Sequence, residues 1–463
     1  KKKFISFKLI LKKLNKLFKK INKIEEFKFI LIGISKMDSL NQKQNEAFKA
    51  MNNGLNIFIT GPGGSGKSHV INYFVNHYKE NYENDENKLY VTSSTGLSSL
   101  LINGITINQY SGIGIGDKDV DYYIKRISKN KKSRERWKNT RILIIDEISM
   151  ISSELFEKLD IIGQRIRKNN KPFGGIQLIL SGDFLQLPPV RATEFCFESF
   201  SWDICINKTF YFDKIIRQKN GEFQNVLNKI RVGNIDPEVV ETLEKCRNRE
   251  LKNDKGIMPT LLFSRKDMVK SYNESKLQEL INQGHKTVEY ESKYTFSSKI
   301  REEVKPDYIQ LINSQYNVED KIVLAKYSQV MLNVNGIDEG LANGSRGIII
   351  DFTDDAKQNP IVYFLNGKTV EIKPKDYKIE EAKDSVIKKQ IPLIPAWAIT
   401  IHKAQGMSLE YIQTDIGNSI FEYGQAYVVL SRIRSLEGLS LIDIDYSKIR
   451  ANPKIIKFYQ NLS

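Results

Sequence analysis

From residue 40 onward, short runs of consecutive apolar residues alternate with stretches in which apolar positions recur every three or four residues. The runs Asn56–Thr60, Leu89–Thr92, Ile142–Ile145 and Ile176–Leu180 have the length of buried strands, and near-continuous apolarity is what a strand covered on both faces requires. Helical patterns lie between them. The clearest is Ser153–Lys168, where Leu155, Leu159, Ile162 and Ile166 share one face. This rhythm predicts a parallel sheet flanked by helices, an α/β fold. The stretch Gly112–Asn139 breaks the pattern. It is polar, carries Lys129, Lys131, Lys132, Arg134, Arg136 and Lys138 around Trp137, and reads as a surface insertion.

Between about 271 and 390 the pattern changes to short alternating runs, Gln329–Val334, Gly347–Phe352, Ile361–Leu365 and Thr369–Ile372, with Asn335-Gly336, Asn343-Gly344 and Asn366-Gly367 as turn signals. They predict a small antiparallel barrel inserted into a larger domain. After it, Ala396–Ile401 returns to a buried strand, and Ala426, Val429, Leu430 and Ile433 mark one more helix face.

Charge changes the picture at one end only. Of the formal net charge of +16 in 463 residues, residues 1–36 hold +10, from twelve Lys against Glu25 and Glu26, which leaves +6 for the remainder. Within that segment Leu14, Leu17, Phe18, Ile21 and Ile24 are spaced as one face of a basic amphipathic helix. A targeting peptide, a nucleic-acid arm and upstream sequence outside the working fold all fit it, and Met37 is a natural start. No apolar run approaches the roughly 18 residues of a membrane span. Cys196, Cys205 and Cys246 are too few and too scattered for a disulfide framework, and the four His lack metal-ligand spacing. A reducing compartment is expected. There are 54 Lys against 17 Arg, so an Arg in this chain marks a place where the planar fork geometry matters.

Residues 61–68 read Gly-Pro-Gly-Gly-Ser-Gly-Lys-Ser, directly after an apolar run and before a helical pattern. In that context Gly61, Gly63, Gly64, Ser65 and Gly66 let successive backbone N–H groups turn toward phosphates. Lys67 would reach the outer phosphates, and the Ser68 hydroxyl would ligate Mg²⁺. The ligand is ATP or GTP with Mg²⁺. Ile142–Ile145 then ends in Asp146-Glu147 at a carboxyl edge, where ligands gather in such sheets. Asp146 would hold the metal, and Glu147 is placed to accept a proton from attacking water, which points to hydrolysis; kinases of the same loop class stay open. Arg217 and Arg432 are candidates to place positive charge on the γ-phosphate from a distant segment.

Read in order, these motifs resemble the petite integration frequency (PIF-one-like) family of superfamily-one 5′-to-3′ DNA helicases. Leu40-Asn41-Gln42-Lys43-Gln44 is similar to an adenine-recognising Q motif, with Gln44 on the base. Thr92–Gly96, including Thr95 and Gly96, together with Tyr110, is similar to the motif that grips single-stranded DNA. Asp146–Met150 resembles the metal-binding motif, and the segment from 151 through Arg165–Asn169 and Pro172–Gly175 resembles a stretch that sets the family apart. Gly182–Pro189 resembles the γ-phosphate-sensing motif, with Gln186 as sensor. Thr400–Gly406 is similar to a DNA-contacting motif, with Thr400, His402 and Lys403 near the backbone, and Tyr427–Arg432 to the motif that carries the second arginine. Asn108 stands where the family commonly has His, which puts one DNA contact in doubt. The chain looks like a compact helicase core.

The resemblance implies two RecA-like P-loop domains. The first spans 37–205 with a duplex-parting wedge at about 112–139. The second is formed by 206–270 with 391–463, and an SH3-like barrel occupies 271–390. It further implies ATP and Mg²⁺ in the cleft between domains, and single-stranded and forked duplex DNA as substrates. G-quadruplexes or RNA–DNA hybrids are further candidate substrates, and single-strand-binding and replication proteins candidate partners. A monomer is expected, inside the nucleus or mitochondrion of a eukaryote or the viral factory of an infected host cell. Tyr110, Phe184 and Trp137 are candidate base-stacking aromatics. Two alternatives stay open: a DNA-stimulated ATPase that displaces proteins or resolves quadruplexes, and a RecD-like or Dda-like motor.

Overall fold

Alternation of side chains across a pleated strand means that a strand buried on both sides feeds two cores at once. In the computed structural model, which describes residues 40–82, 88–114, 116–189, 192–218, 220–251, 257–298, 300–316, 318–341, 343–381 and 384–462, the first sheet does this throughout. Its strands are β1 (Ile57–Thr60), β2 (Leu89–Ser93), β3 (Ile105–Thr106), β4 (Ile142–Asp146), β5 (Gln177–Gly182) and β6 (Lys208–Tyr211), all parallel, in the order β3-β2-β4-β5-β1-β6. Ile57, Ile59, Ile142, Ile144 and Ile179 face the helices Gln42–Asn52 and Lys67–Asn81. The intervening Phe58, Leu143, Ile145, Leu178 and Leu180 face the opposite side. The helix Ser153–Arg167 covers that side with Phe156, Leu159, Ile162 and Ile166; Leu155 lies at the edge of the buried stripe.

The polar stretch 112–139 is not a surface appendage. It forms the helices Val120–Lys129 and Lys131–Asn139, which bury Tyr123, Ile127 and Trp137 against the Ser153–Arg167 helix. Trp137 Nε1 donates to the Ser111 carbonyl at 3.0 Å, and Arg167 Nη1 donates to the carbonyls of Trp137, Lys138 and Thr140, closing the end of the second helix.

A second parallel sheet begins with β7 (Thr260–Phe263) and is interrupted by an antiparallel insertion. There, β8 (Thr287–Glu291) pairs with β10 (Lys321–Ala325). Strand β9 (Lys293–Phe296) joins a sheet with β15 (Lys375–Glu381) and β16 (Asp384–Gln390). The strands β11 (Gln329–Leu332), β12 (Arg346–Phe352), β13 (Pro360–Phe364), β14 (Thr369–Glu371) and β17 (Leu393–Pro395) make a five-stranded sheet. This sheet shares one core with the β8–β10 ribbon, through Val288, Leu324, Val330, Ile349 and Val362. The Asn366-Gly367 turn joins β13 to β14 as expected, with Gly367 at φ 86°. The second parallel sheet then resumes as β18 (Ala398–Thr400), β19 (Ile412–Ile416) and β20 (Leu439–Ile444), ordered β18-β7-β19-β20.

Four expected boundaries move. β6 pairs with β1, so the first sheet runs to Tyr211 and not to 205. The helix Lys266–Asn282 packs on β7 and β18, with Asn273 Nδ2 donating to the Ala398 carbonyl at 3.0 Å, so the insertion starts after it; β17 extends the insertion to Pro395. The last helix, Pro453–Gln460, leaves the second domain and inserts Ile455 and Phe458 into the first domain's core. The basic segment 1–36 lies outside the described residues, within which no helix is long and apolar enough to cross a membrane.

Because Trp137 is fully buried, Trp137→Ala should destabilise the protein by about 3–5 kcal/mol in denaturant titration; the exposed Lys131→Ala should change stability by under about 0.5 kcal/mol.

Candidate active site

The carboxyl edges of β1, β4 and β5 point the same way, so the segments that follow them meet. Gly64 and Gly66 adopt left-handed φ values of 84° and 88°. A Cβ on Gly64 would lie 2.6 Å from Arg217 Cβ, and one on Gly66 2.5 Å from Gln44 Nε2, so the loop accepts only glycine there. Gly66 starts the helix Lys67–Asn81, whose N-terminal amides face the loop's concavity. Lys67 Nζ folds back to donate to the carbonyls of Gly61 (2.8 Å) and Pro62 (3.0 Å). Ser68 Oγ donates to Asp146 Oδ2 at 3.3 Å, which places the two expected metal-facing oxygens together.

Glu147 follows Asp146 in a left-handed conformation, φ 52°, and its N–H donates to Asp146 Oδ1 at 3.0 Å. Burial raises the pKa values of both carboxyls, and for Glu147 the charge of Asp146 adds to the rise. Burial lowers that of Lys67, against the pull of Asp183, Glu147 and Asp146. A cavity of about 700 Å³ opens here, walled by Gln44, Lys67, Asp146, Glu147 and Gln186 from the first domain and by Arg217, Arg432 and Arg434 across from them.

Arg432 ends the wholly buried helix Gln425–Arg432 and is 1% exposed. Its guanidinium donates to the Val428 carbonyl (3.0 Å), Ser431 Oγ (2.8 Å) and Gln186 Oε1 (3.3 Å). The half-buried Arg217 donates through Nη1 to the Ser431 carbonyl at 2.8 Å, and its backbone N–H donates to the Gly64 carbonyl. Among the described residues neither arginine has a carboxylate within ion-pair distance. Burial, then the charge of Arg432, pulls Arg217 down to about 9, which still leaves it protonated at neutral pH.

Gln44 is 1% exposed and closes a capping box: its Oε1 accepts from Asn41 N at 3.0 Å and its Nε2 donates to the Gly66 carbonyl at 3.5 Å. Gly63 lies on the cavity wall, its N–H donating to the Tyr427 hydroxyl at 2.8 Å. Gly61 and Ser65 do not line that cavity. Gly61 packs on Phe212, and Ser65 faces a separate 160 Å³ pocket with Lys43, Phe212 and Asp213.

The expected DNA contacts fare unevenly. Thr95 borders a 340 Å³ groove with Asn108, Ser152 and Lys158, and Gly96 opens the short helix beside it. Thr400 is a buried N-cap, its Oγ1 accepting from Lys403 N at 3.2 Å, while His402 and Lys403 stay half-buried. Tyr110, Trp137 and Phe184 are each 0% exposed. Their rings pack on neighbouring aromatics, Tyr110 on Trp137 at 5.2 Å and Phe184 on Phe58 at 5.4 Å, so none is available to stack a base.

Four partners escaped the sequence reading. Gln405 Nε2 donates to Glu147 Oε2 at 2.9 Å, and Tyr427 holds Gly63 N. Arg231 grips Asp183 through two hydrogen bonds of 2.8 and 3.0 Å, with both side chains buried. The Tyr459 hydroxyl reaches Thr60 Oγ1, the Phe184 N–H and Asp183 Oδ1. Gln405 and Tyr427 fall within motifs already singled out, and the scarcity of Arg flagged residues such as Arg231; Tyr459 carried no signal.

Known proteins similar to this chain are helicases. A family model described as PIF1-like helicase matches residues 39–241. The chain is 37% identical over 93% of its length to the ATP-dependent DNA helicase PIF1 of Xenopus laevis, of which it spans 66%, just under two thirds. It is 31% identical over 93% of its length to the ATP-dependent DNA helicase RRM3 of Saccharomyces cerevisiae, covering 70% of that protein. The crystal structure of Pif1 helicase from Candida albicans superposes with a TM-score of 0.79 at 36% identity, over 92% of this chain and 99% of that one.

Burial alone would raise the pKa of Asp183, but the charge and hydrogen bonds of Arg231 outweigh it and hold the carboxyl below its usual range. Its contribution to stability is therefore complete above the unfolded-state value near pH 4 and is lost as pH falls through the lower folded-state value. Arg231→Met, which strands the buried carboxylate, should cost about 3–5 kcal/mol at pH 7 by denaturant titration, and that deficit should shrink in acid.

Proposed function

The chain belongs to the PIF1-like helicase family, and from that membership and the chemistry of the cleft we propose that it is an ATP-dependent DNA helicase that moves 5′-to-3′ on single-stranded DNA and unwinds duplexes. One observation carries the reading: Arg217 and Arg432 bring two uncompensated guanidinium groups against the phosphate loop of another domain. A desolvated cation without a counter-ion is costly unless an anion arrives, and bidentate guanidinium chemistry suits phosphate. Lys67, Arg217, Arg432 and Arg434 outnumber Asp146 and Glu147 on the wall, and a nucleotide triphosphate with its metal carries the opposite excess.

Ser68 and Asp146 suit Mg²⁺, which takes one or two protein oxygens and fills its octahedron with water and phosphate. Among the described residues no cluster of three or more His, Cys, Asp or Glu side chains offers a fuller cage. Bound there, the ion would neutralise charge on the outer phosphates. Glu147 accepts a proton from water as the water oxygen bonds to the γ-phosphorus and the bond to the ADP oxygen breaks. Lys67, Arg217 and Arg432 hold the charge that spreads over the transferred group.

Because the two arginines come from the far side of the cleft, ATP draws the domains together and hydrolysis releases them. Thr95 and Gly96 on one domain and Thr400, His402 and Lys403 on the other would hold successive DNA phosphates, so that each cycle advances the strand. The 112–139 helices are the proposed duplex-parting wedge and the antiparallel insertion the cover over the strand. Forked duplexes are the expected substrates, with quadruplexes and RNA–DNA hybrids as further ones, inside a cell or a virus-infected cell.

Arg432→Ala should lower the kcat of ATP hydrolysis by about 1,000-fold or more, with the protein still folded by circular dichroism. The wild type should open forks bearing a 5′ tail and leave those bearing only a 3′ tail closed. Unwinding confined to 3′-tailed forks would overturn the polarity, and full hydrolysis by Arg432→Ala would overturn the site.

A further inference from the structure

Glu147 is the proposed proton acceptor, so the orientation of its carboxylate sets the rate of the chemical step. Its backbone occupies the left-handed region at φ 52° and ψ 45°, a conformation that costs a non-glycine residue free energy and must be held by its surroundings. Beside it Asp146 presents a like charge. Among the described residues one side-chain hydrogen bond reaches the Glu147 carboxylate, the 2.9 Å bond from Gln405 Nε2 to Oε2. That bond leaves Oε1 free to face a water.

Gln405 belongs to the other domain, and its side chain has no second purpose there. It is 2% exposed, and its Oε1 has no hydrogen-bond partner. A buried amide that forms no bond within its own domain depends on Glu147 for its compensation. The Gln405–Glu147 bond spans the two domains, so separating them at this point would break it.

The segment that carries Gln405 is short and stiff. Thr400 Oγ1 caps the single helical turn Ile401–Ala404 by accepting from Lys403 N, and Gln405 closes the turn, its N–H donating to the His402 carbonyl at 3.3 Å. Gly406 and Ser408, just beyond, already line the nucleotide cavity. Thr400, His402 and Lys403 on one side of the turn and Gln405 on the other cannot move independently by much.

We infer that Gln405 is a positioning residue that couples DNA grip to hydrolysis: a strand held by the turn at 400–403 seats the Gln405 amide on Glu147 and so aims the free carboxylate oxygen at the attacking water. The inference rests on the proposed helicase function and assigns a residue through which DNA stimulates its ATPase. Misplacement of a reacting group by about 1 Å can cost up to about 100-fold in rate, so the effect falls on kcat and not on nucleotide binding.

The test measures steady-state ATP hydrolysis with saturating single-stranded DNA, and DNA affinity with a non-hydrolysable ATP analogue, for the wild type, Gln405→Leu, Gln405→Glu, Glu147→Gln and the double variant Gln405→Leu/Glu147→Gln. Gln405→Leu should lose about 10-fold or more in kcat, with the KM for ATP and the DNA affinity each within about two-fold. Gln405→Glu has the same length but no N–H, and should fall at least as far, whereas a residue that merely fills space would tolerate it. In single turnovers the double variant should be no slower than Glu147→Gln alone, because both changes remove one unit. Wild-type kcat in both Gln405 variants, or losses that multiply in the double variant, would overturn the inference. A wild-type protein that does not hydrolyse ATP on DNA would overturn the helicase reading itself, and this inference with it.

Discussion

Everything at the domain interface follows from how the protein handles buried positive charge. Arg231 and Arg432 are both almost wholly enclosed, and the two are treated oppositely. Arg231 receives the carboxylate of Asp183 in a two-point pair and stacks on the Tyr459 ring at 4.9 Å. Its charge is answered whatever occupies the cleft. Arg432 receives only neutral acceptors, the Val428 carbonyl, Ser431 Oγ and Gln186 Oε1. Neutral dipoles offset part of the desolvation cost of an ion but not all of it. The interface thus contains a permanent latch and a conditional one, and the conditional one is completed by an anion in the cavity.

The sheet explains why the conditional latch can be so compact. In an all-parallel sheet every strand delivers its following loop to the same edge, so residues far apart in sequence converge without long excursions. The phosphate loop after β1, the Asp146-Glu147 pair after β4 and Asp183 to Gln186 after β5 are neighbours for that reason. The second domain repeats the arrangement with a parallel sheet of its own, and presents Arg432 from the helix that follows β19. Glycine completes the fit: Gly424, at φ 74°, lets that helix start where a Cβ would stand 2.3 Å from the Gln186 carbonyl.

The strands and the phosphate loop were legible in the sequence because their signals are local: an apolar run, a string of glycines, a pair of acids at a strand end. The Ser153–Arg167 helix was nearly so, its buried stripe anchored by Phe156 where Leu155 was expected. What could not be read is what depends on long-range contact. Trp137 lies among six basic residues and looks exposed in sequence, yet the four lysines turn outward, Arg134 and Arg136 fold back onto backbone carbonyls, and the indole enters a core built from three other helices. Tyr110 and Phe184 resemble base-stacking aromatics by motif position, but their neighbours are other buried rings. The boundary near 205 was misplaced because β6 is only four residues with an exposed, intermediate, buried, exposed pattern, too weak to announce a sixth strand.

The route of the chain also fixes where the cleft can open. The first crossing between domains follows β6, which ends at Tyr211, and the second returns through Arg450 to Asn452 into the terminal helix that carries Tyr459. These two ends are adjacent: Tyr211 and Tyr459 are ring neighbours at 6.0 Å, the Arg231 guanidinium lies over both, and Gly233 packs against Ala451. Two tethers side by side act as one hinge, with the Arg231–Asp183 pair at its centre. Contacts at the hinge change little under a small rotation, while those on the lever arm lengthen most. Beside the cavity the cross-domain links are single hydrogen bonds: Gln405 to Glu147, Arg432 to Gln186, Gly63 N–H to the Tyr427 hydroxyl, and the Ile216 and Arg217 N–H groups to the Gly64 carbonyl. A ligand that adds charge-assisted bonds to both arginines therefore acts where the links already present are neutral or singly charged hydrogen bonds, and a differential affinity for the closed arrangement is the physical condition for a small nucleotide to drive the relative motion of two domains.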